Sequence, residues 1–306
     1  MKLSIIIPVY NEQESVAELH TELVSVLSKL GRPFEIIFVN DGSTDDTLTE
    51  LKRLKPVRII SLARNFGKSQ ALQAGFNVAN GEYIFTMDGD LQDDPAEIPN
   101  FLEEIKKDSD LVVGWKQNRQ DGIIKGFVSK IANRITGWAT GVYVHDMNCC
   151  YKLYKSNVAK GLMLTGDHHR YIPAIVASKG YKVSEQKVNH RKRKFGESKY
   201  GNLSRFFKSF FDFITIVLMG RFSDRPMHLF GIFGFVTASV GFVILIYMSW
   251  LILVKDEIVY DRPLLLLGVL LVVVGFQSFV SGFLGELVLR QSDKKQIHVI
   301  SEDVTK

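Results

Sequence analysis

Short apolar runs alternate with stretches of helical periodicity along the first half of the chain. The apolar runs predict strands at residues 3–9, 34–40, 58–62, 83–88 and 111–114. Between the first two, apolar side chains from Val16 to Leu30 recur at spacings of three and four, which predicts an amphipathic helix. Residues 45–54, 68–79 and 95–106 supply further helices. This alternation is typical of an α/β domain with an open, mostly parallel sheet.

Two much longer apolar runs follow, at residues 229–254 and 263–287. Each exceeds the roughly 20 residues that a helix needs to cross a bilayer. The first run carries no charged residue, and the second carries none before Glu286. Two buried helices of a soluble protein would be a poor alternative for runs of this length. Because only residues 255–262 separate them, we predict a transmembrane hairpin.

The chain is therefore expected to have four parts. They are an α/β domain at residues 1–200, basic amphipathic juxtamembrane helices at 201–226, two transmembrane helices within 227–290, and a tail at 291–306. Lys and Arg flank the outer ends of both spans, as at Arg225 and Arg290. Positive flanks favour the cytoplasmic side, so the α/β domain and both chain ends of this integral membrane protein should be cytoplasmic.

Composition narrows the function classes. With 46% hydrophobic and 23% charged residues, the chain is neither disordered nor a disulfide-stabilised miniprotein. The net charge is +5, and the excess of Lys and Arg lies between residues 187 and 225. A basic block before apolar spans suggests a membrane surface or a phosphorylated lipid and not a nucleic acid. The two adjacent cysteines, Cys149 and Cys150, indicate neither a disulfide framework nor a zinc site, and packing is their expected role.

Polar clusters follow each of the first four predicted strands. They lie at residues 8–12, 40–43, 64–68 and 88–92. Each cluster taken alone occurs at least as often in an ordinary turn as in a binding site. Because open parallel sheets bind ligands beyond the carboxyl ends of their strands, the four together predict one binding edge.

The sharpest cluster is Asp88-Gly89-Asp90. Two carboxylates around a glycine at a strand end can hold a hard divalent cation, which can bridge the phosphates of a nucleotide. A solvated acidic turn is the alternative, since Asp93 and Asp94 follow directly. The position after an apolar strand favours the cation.

Four segments resemble one family when taken together. They read Ile-Ile-Pro-Val-Tyr-Asn-Glu, Val-Asn-Asp-Gly-Ser-Thr-Asp, Arg-Asn-Phe-Gly-Lys and Met-Asp-Gly-Asp-Leu-Gln-Asp-Asp-Pro, in that order. In this they are similar to family 2 glycosyltransferases, whose fold is the Rossmann-like GT-A fold. With two carboxy-terminal spans, the resemblance narrows to polyprenyl-phosphate glycosyltransferases of the GtrB type, which are related to dolichyl-phosphate mannose synthases.

The resemblance implies roles for individual residues. The donor nucleotide-sugar would be bound by Pro8, Tyr10, Glu12, Asp41, Arg64, Lys68, Asp88 and Gly89. Asp88, Asp90 and Gln92 would hold Mg²⁺ or Mn²⁺, and Asp90 and Asp146 would be catalytic. The acceptor and the diphosphate would be bound by Lys152, Arg193, Ser198 and Lys199, of which Lys152 departs from the family's arginine.

The reaction implied is metal-dependent, inverting transfer of a hexose from a UDP-sugar to undecaprenyl or dolichyl phosphate, in a bacterial inner membrane. Glucose is the first expectation for the sugar. Alternatives are a GDP-mannose-dependent dolichyl-phosphate mannose synthase and a membrane-anchored sensor that binds sugar nucleotides without turnover. A processive polysaccharide synthase is disfavoured because the Gln-x-x-Arg-Trp motif is absent.

Two further features of the sequence are the small residues in the predicted spans and a pair of adjacent histidines. Small residues four apart on one helical face, such as Gly234 and Ala238, permit close helix contact within the hairpin or between protomers of a homo-oligomer. The pairs Ser278/Gly282 and Ser281/Gly285 do the same in the second span. His168 and His169 are expected to be solvent-exposed, with no metal bound.

Overall fold

The computed structural model describes residues 2–116, 137, 142–189, 191, 194, 226–255 and 263–291. The chain divides into two compact units. The first, within residues 1–216, is the α/β unit, and the second, within residues 217–296, is helical. The predicted juxtamembrane segment at 201–225 and the tail from 292 lie outside the described residues.

The α/β unit is built on one seven-stranded sheet. Its strands are β1 (Leu3–Val9), β2 (Phe34–Asn40), β3 (Arg58–Ser61), β4 (Tyr83–Thr86), β5 (Leu111–Lys116), β6 (Lys152–Lys155) and β7 (Val183–Val188). The order across the sheet is β3-β2-β1-β4-β6-β5-β7. β6 pairs antiparallel with β4 and with β5, and the other pairs are parallel. The predicted mostly parallel sheet is therefore confirmed.

Helices alternate with the strands along the chain. They are α1 (Val16–Lys29), α2 (Thr47–Arg53), α3 (Lys68–Val78), α4 (Ile98–Glu104), α5 (Ser156–Lys160) and α6 (Ile172–Ser178). The single helix predicted at 95–106 is in fact a 3₁₀ turn, Pro95–Glu97, that leads into α4. Asp94 caps that turn by accepting a hydrogen bond from the backbone N–H of Ala96 at 2.9 Å.

The core lies between the sheet and these helices. Ile5, Ile6 and Ile7 of β1 are all fully buried, which is why the strand reads as a continuous apolar run without alternation. Leu19 and Leu23 of α1 are also fully buried on one face of that helix. The central parallel strands therefore contribute their side chains to the core. The polar side chains lie in the loops at the carboxyl ends of these strands.

The helical unit consists of α7 (Pro226–Lys255) and α8 (Pro263–Gln291), which pack against each other. Both are long and apolar enough to cross a membrane, and few of their residues are buried. Their exposed side chains are mostly large and apolar, as expected of a surface that faces lipid and not water. The predicted spans are therefore confirmed as helices, a few residues longer than the apolar runs themselves.

Glycines bring α7 and α8 into close contact. A Cβ added at Gly234 would lie 2.5 Å from the carbonyl oxygen of Gly275, and one added at Gly275 would lie 2.6 Å from the backbone nitrogen of Ala238. A Cβ at Gly282 would meet Phe230 at 2.9 Å. The small residues identified in the sequence thus serve contact within the hairpin, and homo-oligomer formation stays a prediction.

Candidate functional site

The loop after β1 is fastened to the loop after β2. Asn11 adopts the left-handed conformation (φ 54°), which Asn tolerates better than most residues. Its side-chain oxygen accepts from the backbone N–H of Thr44 at 2.8 Å, and its own backbone N–H donates to Ser43 Oγ at 3.0 Å. Tyr10 and Glu12 flank Asn11 in this loop. Pro8, also a predicted donor-binding residue, lies in β1 opposite Val39 of β2.

Asp41, directly after β2, holds the loop after β3. Its carboxylate is buried and accepts from the backbone N–H groups of Phe66 at 2.8 Å and Gly67 at 2.9 Å. Burial raises the pKa of Asp41, and these two hydrogen bonds oppose the rise. The next residue, Gly42, has φ +66°, and a Cβ there would lie 2.3 Å from the carbonyl carbon of Arg64. The contact with uracil expected for Asp41 stays a prediction.

The loop after β3 presents Arg64 outward and Lys68 inward. The Arg64 guanidinium lies over the ring of Phe66, 4.7 Å from its centroid, and both side chains are exposed. Lys68 opens α3 and forms an ion pair with Asp88 after β4. The buried Cys150 thiol lies beside this pair and influences the pKa of both members. Two predicted donor-binding residues are thus brought into contact.

The charges around Asp88 set its ionisation. Burial alone would raise the pKa of Asp88, but the positive charges of Lys68 and Lys116 outweigh burial and hold that pKa well below its ordinary value. Burial would likewise lower the pKa of Lys68, yet the negative charge of Asp88 raises it well above its ordinary value. The pair is therefore fully charged at neutral pH.

The Asp88-Gly89-Asp90 turn is tied to the first loop. Ser15 Oγ donates to the carbonyl oxygen of Gly89 at 2.7 Å. A Cβ on Gly89 would lie 2.7 Å from Cγ1 of Val9, so only glycine fits beneath β1 there. Asp90 Oδ1 accepts from the backbone N–H of Gln92 at 3.2 Å.

Sequence reasoning missed a buried ion pair behind this turn. Lys116 at the end of β5 lies 2.7 Å from Oδ1 of Asp93, and the two side chains are 9% and 1% exposed. Oδ2 of Asp93 accepts from the backbone N–H of Asp88 at 3.4 Å. Burial would lower the pKa of Lys116, but Asp93 raises it above its ordinary value. A lysine ending the apolar strand Leu-Val-Val-Gly-Trp was the available signal.

The donor atoms at this turn suit a divalent cation. Asp88 and Asp90 offer carboxylate oxygens and Gln92 an amide oxygen, which are the ligands that Mg²⁺ and Mn²⁺ prefer. Within the described ranges, no group of three or more His, Cys, Asp or Glu side chains is assembled as a metal site. The donor atoms of these three residues therefore fit Mg²⁺ or Mn²⁺ in their chemistry.

Lys152 begins β6, Asp146 lies in the segment that precedes this strand, and both are deep in the unit. Asp146 is 4% and Lys152 1% exposed. The Lys152 ammonium donates to the backbone carbonyl of Cys149. Burial raises the pKa of the Cys149 thiol to about 12 and also raises that of Cys150. Both cysteines are buried and unbridged, as predicted, and Cys150 in addition contacts the Lys68–Asp88 pair.

His145, the residue before Asp146, contacts side chains of both β5 and β7. His145 donates its backbone N–H to Oε1 of Glu185 at 2.6 Å, and its ring Nδ1 lies 2.7 Å from Oε2 of the same carboxylate. The imidazole stacks on Trp115, with ring centroids 3.9 Å apart. The turn that carries Asp146 is thereby fixed by side chains from two strands.

His169 was expected to be exposed, and that expectation is wrong. The side chain is largely covered, and its Nδ1 lies 3.0 Å from Oγ of Ser69 in the first turn of α3. Burial, together with the nearby charges of Lys68 and Arg170, lowers the pKa of His169 to about 3. It is therefore a neutral imidazole beside Lys68 at any physiological pH.

Two basic residues after β7, Arg191 and Lys194, pair with acidic residues of α1. Arg191 forms ion pairs with Glu22 at 2.8 Å and with Asp94 at 2.7 Å, and Lys194 pairs with Glu18 at 2.7 Å. Glu18 and Glu22 are one helical turn apart, so they form one acidic face. The predicted acceptor residues of this region, Arg193, Ser198 and Lys199, lie outside the described residues.

Comparison with known proteins places this geometry in a family. Residues 4–161 match Glycosyl transferase family 2. A dodecaprenyl-phosphate galacturonate synthase of Rhizobium johnstonii is 36% identical over 299 residues, covering 95% of this chain and 88% of that protein. An undecaprenyl-phosphate 4-deoxy-4-formamido-L-arabinose transferase of Klebsiella pneumoniae is 32% identical over 295 residues, covering 94% and 88%.

Solved structures agree on the fold. Glucosyl-3-phosphoglycerate synthase of Mycobacterium tuberculosis, solved with Mg²⁺ and uridine diphosphate, superposes with a TM-score of 0.56 at 15% identity over 72% of this chain and 79% of that one. Mannosyl-3-phosphoglycerate synthase of Rubrobacter xylanophilus gives a TM-score of 0.58 at 14% identity, over 71% and 73%. The α/β unit thus has the GT-A fold of these synthases. With a family match across half its length and relatives along nearly all of it, the chain belongs to glycosyl transferase family 2 and is a glycosyltransferase.

Proposed function

We propose that the chain transfers a sugar from a nucleotide-sugar donor to the phosphate of a polyprenyl lipid. The observation that carries this proposal is the combination, in one chain, of Asp41, Lys68 and Asp88 at the binding edge of a GT-A sheet with two helices able to span a membrane. The names of the two relatives support it, since both include a polyprenyl phosphate.

The proposed step is an in-line displacement with inversion. An oxygen of the lipid phosphate forms a bond to the anomeric carbon of the sugar, while the bond from that carbon to the donor diphosphate breaks. The nucleoside diphosphate leaves with the electron pair. Because a lipid phosphate is already ionised near neutral pH, the step needs no strong general base. The buried Asp146 then orients the sugar or the acceptor.

Asp88, Asp90 and Gln92 are proposed to hold Mg²⁺ or Mn²⁺ against the diphosphate. When bound, the cation offsets the negative charge that develops on the leaving diphosphate. Lys68 supplies a second positive charge at the same place. Tyr10, Glu12, Asp41 and Arg64 would bind the rest of the donor. Lys152 is too deeply buried to reach out to a lipid and would act through its charge, and Arg193, Ser198 and Lys199 would bind the acceptor phosphate.

For the donor we propose a UDP-sugar. Glucose is the expectation from the sequence, whereas the relatives are named for galacturonate and for 4-deoxy-4-formamido-L-arabinose. These three sugars therefore come first in a donor test. For location, the positive flanks of the spans support a cytoplasmic α/β domain with both chain ends on the same side, in a bacterial inner membrane.

Radiolabel transfer tests the proposal. Purified full-length protein is incubated with undecaprenyl or dolichyl phosphate, Mg²⁺ or Mn²⁺, and each UDP-sugar in turn, with GDP-mannose as the alternative donor. Label should enter the organic extract with one donor and should be lost with a chelator. Absence of lipid product from every donor, combined with nucleotide-sugar binding in calorimetry, would favour the sensor alternative.

Two variants locate the chemistry in the assay. Asp90→Ala should abolish chelator-sensitive transfer while the protein stays folded. Asp108→Ala removes an exposed carboxylate on the far end of the sheet, paired with Lys182, and should leave transfer unchanged. Full activity of Asp90→Ala would remove Asp90 from the metal site.

A further inference from the structure

The acidic residues around the Asp88-Gly89-Asp90 turn are matched with cations from other parts of the chain. Asp93 is paired with Lys116, Asp94 with Arg191, and Asp88 with Lys68. A divalent cation that binds Asp88 therefore meets a carboxylate that already has a positive partner. Binding of the cation must compete with that partner.

Of these three pairs, the Lys68–Asp88 pair is the one suited to exchange. Lys116 and Asp93 are almost completely covered, and the Asp93 carboxylate also accepts from the backbone of Asp88, so that pair is part of the turn itself. The side chains of Lys68 and Asp88 are each 27% exposed, against 9% and 1% for Lys116 and Asp93. The flexible stem of Lys68 also lets the ammonium move without moving α3.

We propose that Lys68 is an exchangeable counter-ion: its ammonium neutralises Asp88 in the free enzyme, gives way to the divalent cation, and then pairs with the diphosphate of the donor. The inference rests on the proposed metal-dependent function and adds an order of events to it. It follows from charge balance at the site. The cation replaces Lys68 on Asp88, and the incoming diphosphate supplies the negative charge that Lys68 has lost.

The surroundings of Lys68 support its movement towards a diphosphate. His169 and Ser69 hydrogen-bond to each other beside it, and the imidazole is neutral, so His169 brings no charge of its own to this side of the ammonium. Gly67 precedes Lys68 with φ +92°, and a Cβ there would meet nothing within 4 Å. The backbone N–H of Gly67 is fixed by Asp41, so the loop stays in place while the side chain moves.

Exchange predicts that the cation and the nucleotide help each other to bind. Without nucleotide, Mn²⁺ pays the full cost of displacing Lys68, so its affinity is low. With nucleotide, the diphosphate receives Lys68, and Mn²⁺ affinity rises. The coupling is reciprocal, as it must be for two ligands on one protein.

The test measures Mn²⁺ affinity directly, by electron paramagnetic resonance of free Mn²⁺ with the purified full-length protein, with and without UDP. Three variants are compared: Lys68→Met, Lys68→Arg and the control Lys155→Met. The control removes a partly exposed lysine at the end of β6 that pairs with Asp110, the residue before β5. Lys68→Met removes the competitor, so without UDP it should bind Mn²⁺ about tenfold more tightly than the unchanged protein. Added UDP should narrow or reverse that difference.

Lys68→Arg separates exchange from a simple loss of charge. It keeps the positive charge but can hold Asp88 by two parallel hydrogen bonds, so it should bind Mn²⁺ about threefold more weakly than the unchanged protein. Lys155→Met should match the unchanged protein. If Lys68→Met does not fold, judged by circular dichroism and gel filtration, Lys68→Arg carries the test alone.

The outcomes are distinct. Equal Mn²⁺ affinity of Lys68→Arg and the unchanged protein overturns the exchange, and so does a Lys68→Met affinity within twofold of the unchanged protein. No Mn²⁺ binding to any variant also overturns it, and the radiolabel assay then decides separately whether sugar transfer itself stands. Tighter binding in Lys68→Met, weaker binding in Lys68→Arg and no change in Lys155→Met support it.

Discussion

The buried pair between Asp93 and Lys116 offers a quantitative test of how the donor site is held together. Asp93→Asn leaves the Lys116 ammonium almost fully covered and without a negative partner. Removing one member of a buried ion pair costs about 3–5 kcal/mol, because an unpaired charge remains in a poorly solvated position. For a domain of about 200 residues, each kcal/mol lowers Tm by about 2–4 °C. We therefore expect a fall of roughly 10 °C.

Two single variants and their combination form a double-mutant cycle that tests this energy. Lys116→Met alone leaves the Asp93 charge buried and should cost a similar amount. Asp93→Asn combined with Lys116→Met buries no charge, and replacing both members of a buried pair is often neutral. The Tm of the double variant should therefore be well above the Tm of either single variant. Unfolding is followed by circular dichroism at one fixed heating rate.

Arg53→Met is the matched control. It breaks the exposed Arg53–Glu50 pair on α2, where the arginine side chain is 68% exposed, and exposed pairs contribute about 0–1 kcal/mol. Its Tm should stay within about 2 °C of the unchanged protein. The reasoning is refuted if Asp93→Asn behaves like this control, or if the double variant is no more stable than the less stable single variant.

Three other predictions follow from contacts described above. His169 has a pKa of about 3 when folded and of about 6.5 when unfolded, so the unfolded chain takes up the proton first and stability should fall as the pH drops from about 7 towards 3. His169→Asn should show a smaller loss of Tm between about pH 7 and pH 5, and an equal loss would contradict this. Gly42→Ala sets a Cβ 2.3 Å from the backbone of the loop after β3, so it should destabilise by about 2–4 kcal/mol and raise KM for the donor. Gly31→Ala has a similar φ but open space, so it should cost only about 1 kcal/mol with KM unchanged, and equal effects of the two would argue against the close contact. Gly275→Val should separate α7 from α8 and lower the yield of folded protein from membranes, whereas Val274→Leu on the exposed side should not.

The sequence is a good guide to the elements that bury apolar side chains. β1, β2 and the two long helices are mostly apolar runs, and apolar side chains recur at helical spacing in α1, so the positions of these elements follow from pattern alone. β6 and β7 were not predicted. β6 has only four residues, Lys-Leu-Tyr-Lys, and β7, Val-Ser-Glu-Gln-Lys-Val, lies at the edge of the sheet, where polar side chains are tolerated.

The sequence alone does not predict which residues far apart in the chain contact each other. The motif residues Asp41, Lys68 and Asp88 could be placed at one edge of the sheet, but nothing in their spacing says that Lys68 meets Asp88 or that Asp41 binds backbone N–H groups. His169 could not be placed beside Ser69, because 100 residues separate them. Such contacts depend on how the strands are ordered, which local patterns do not encode.

The hydrogen bonds that join the loops of the donor site limit how this site can diversify. Asn11 is tied to Thr44, Asp41 to the N–H groups of Phe66 and Gly67, and Gly89 to Ser15. A substitution at any of these positions disturbs two loops at once, so selection for a new sugar has little freedom there. Changes of donor should instead accumulate in segments that lie outside this set of hydrogen bonds. Exchanging those segments between family members is therefore the more promising route to altered sugar specificity.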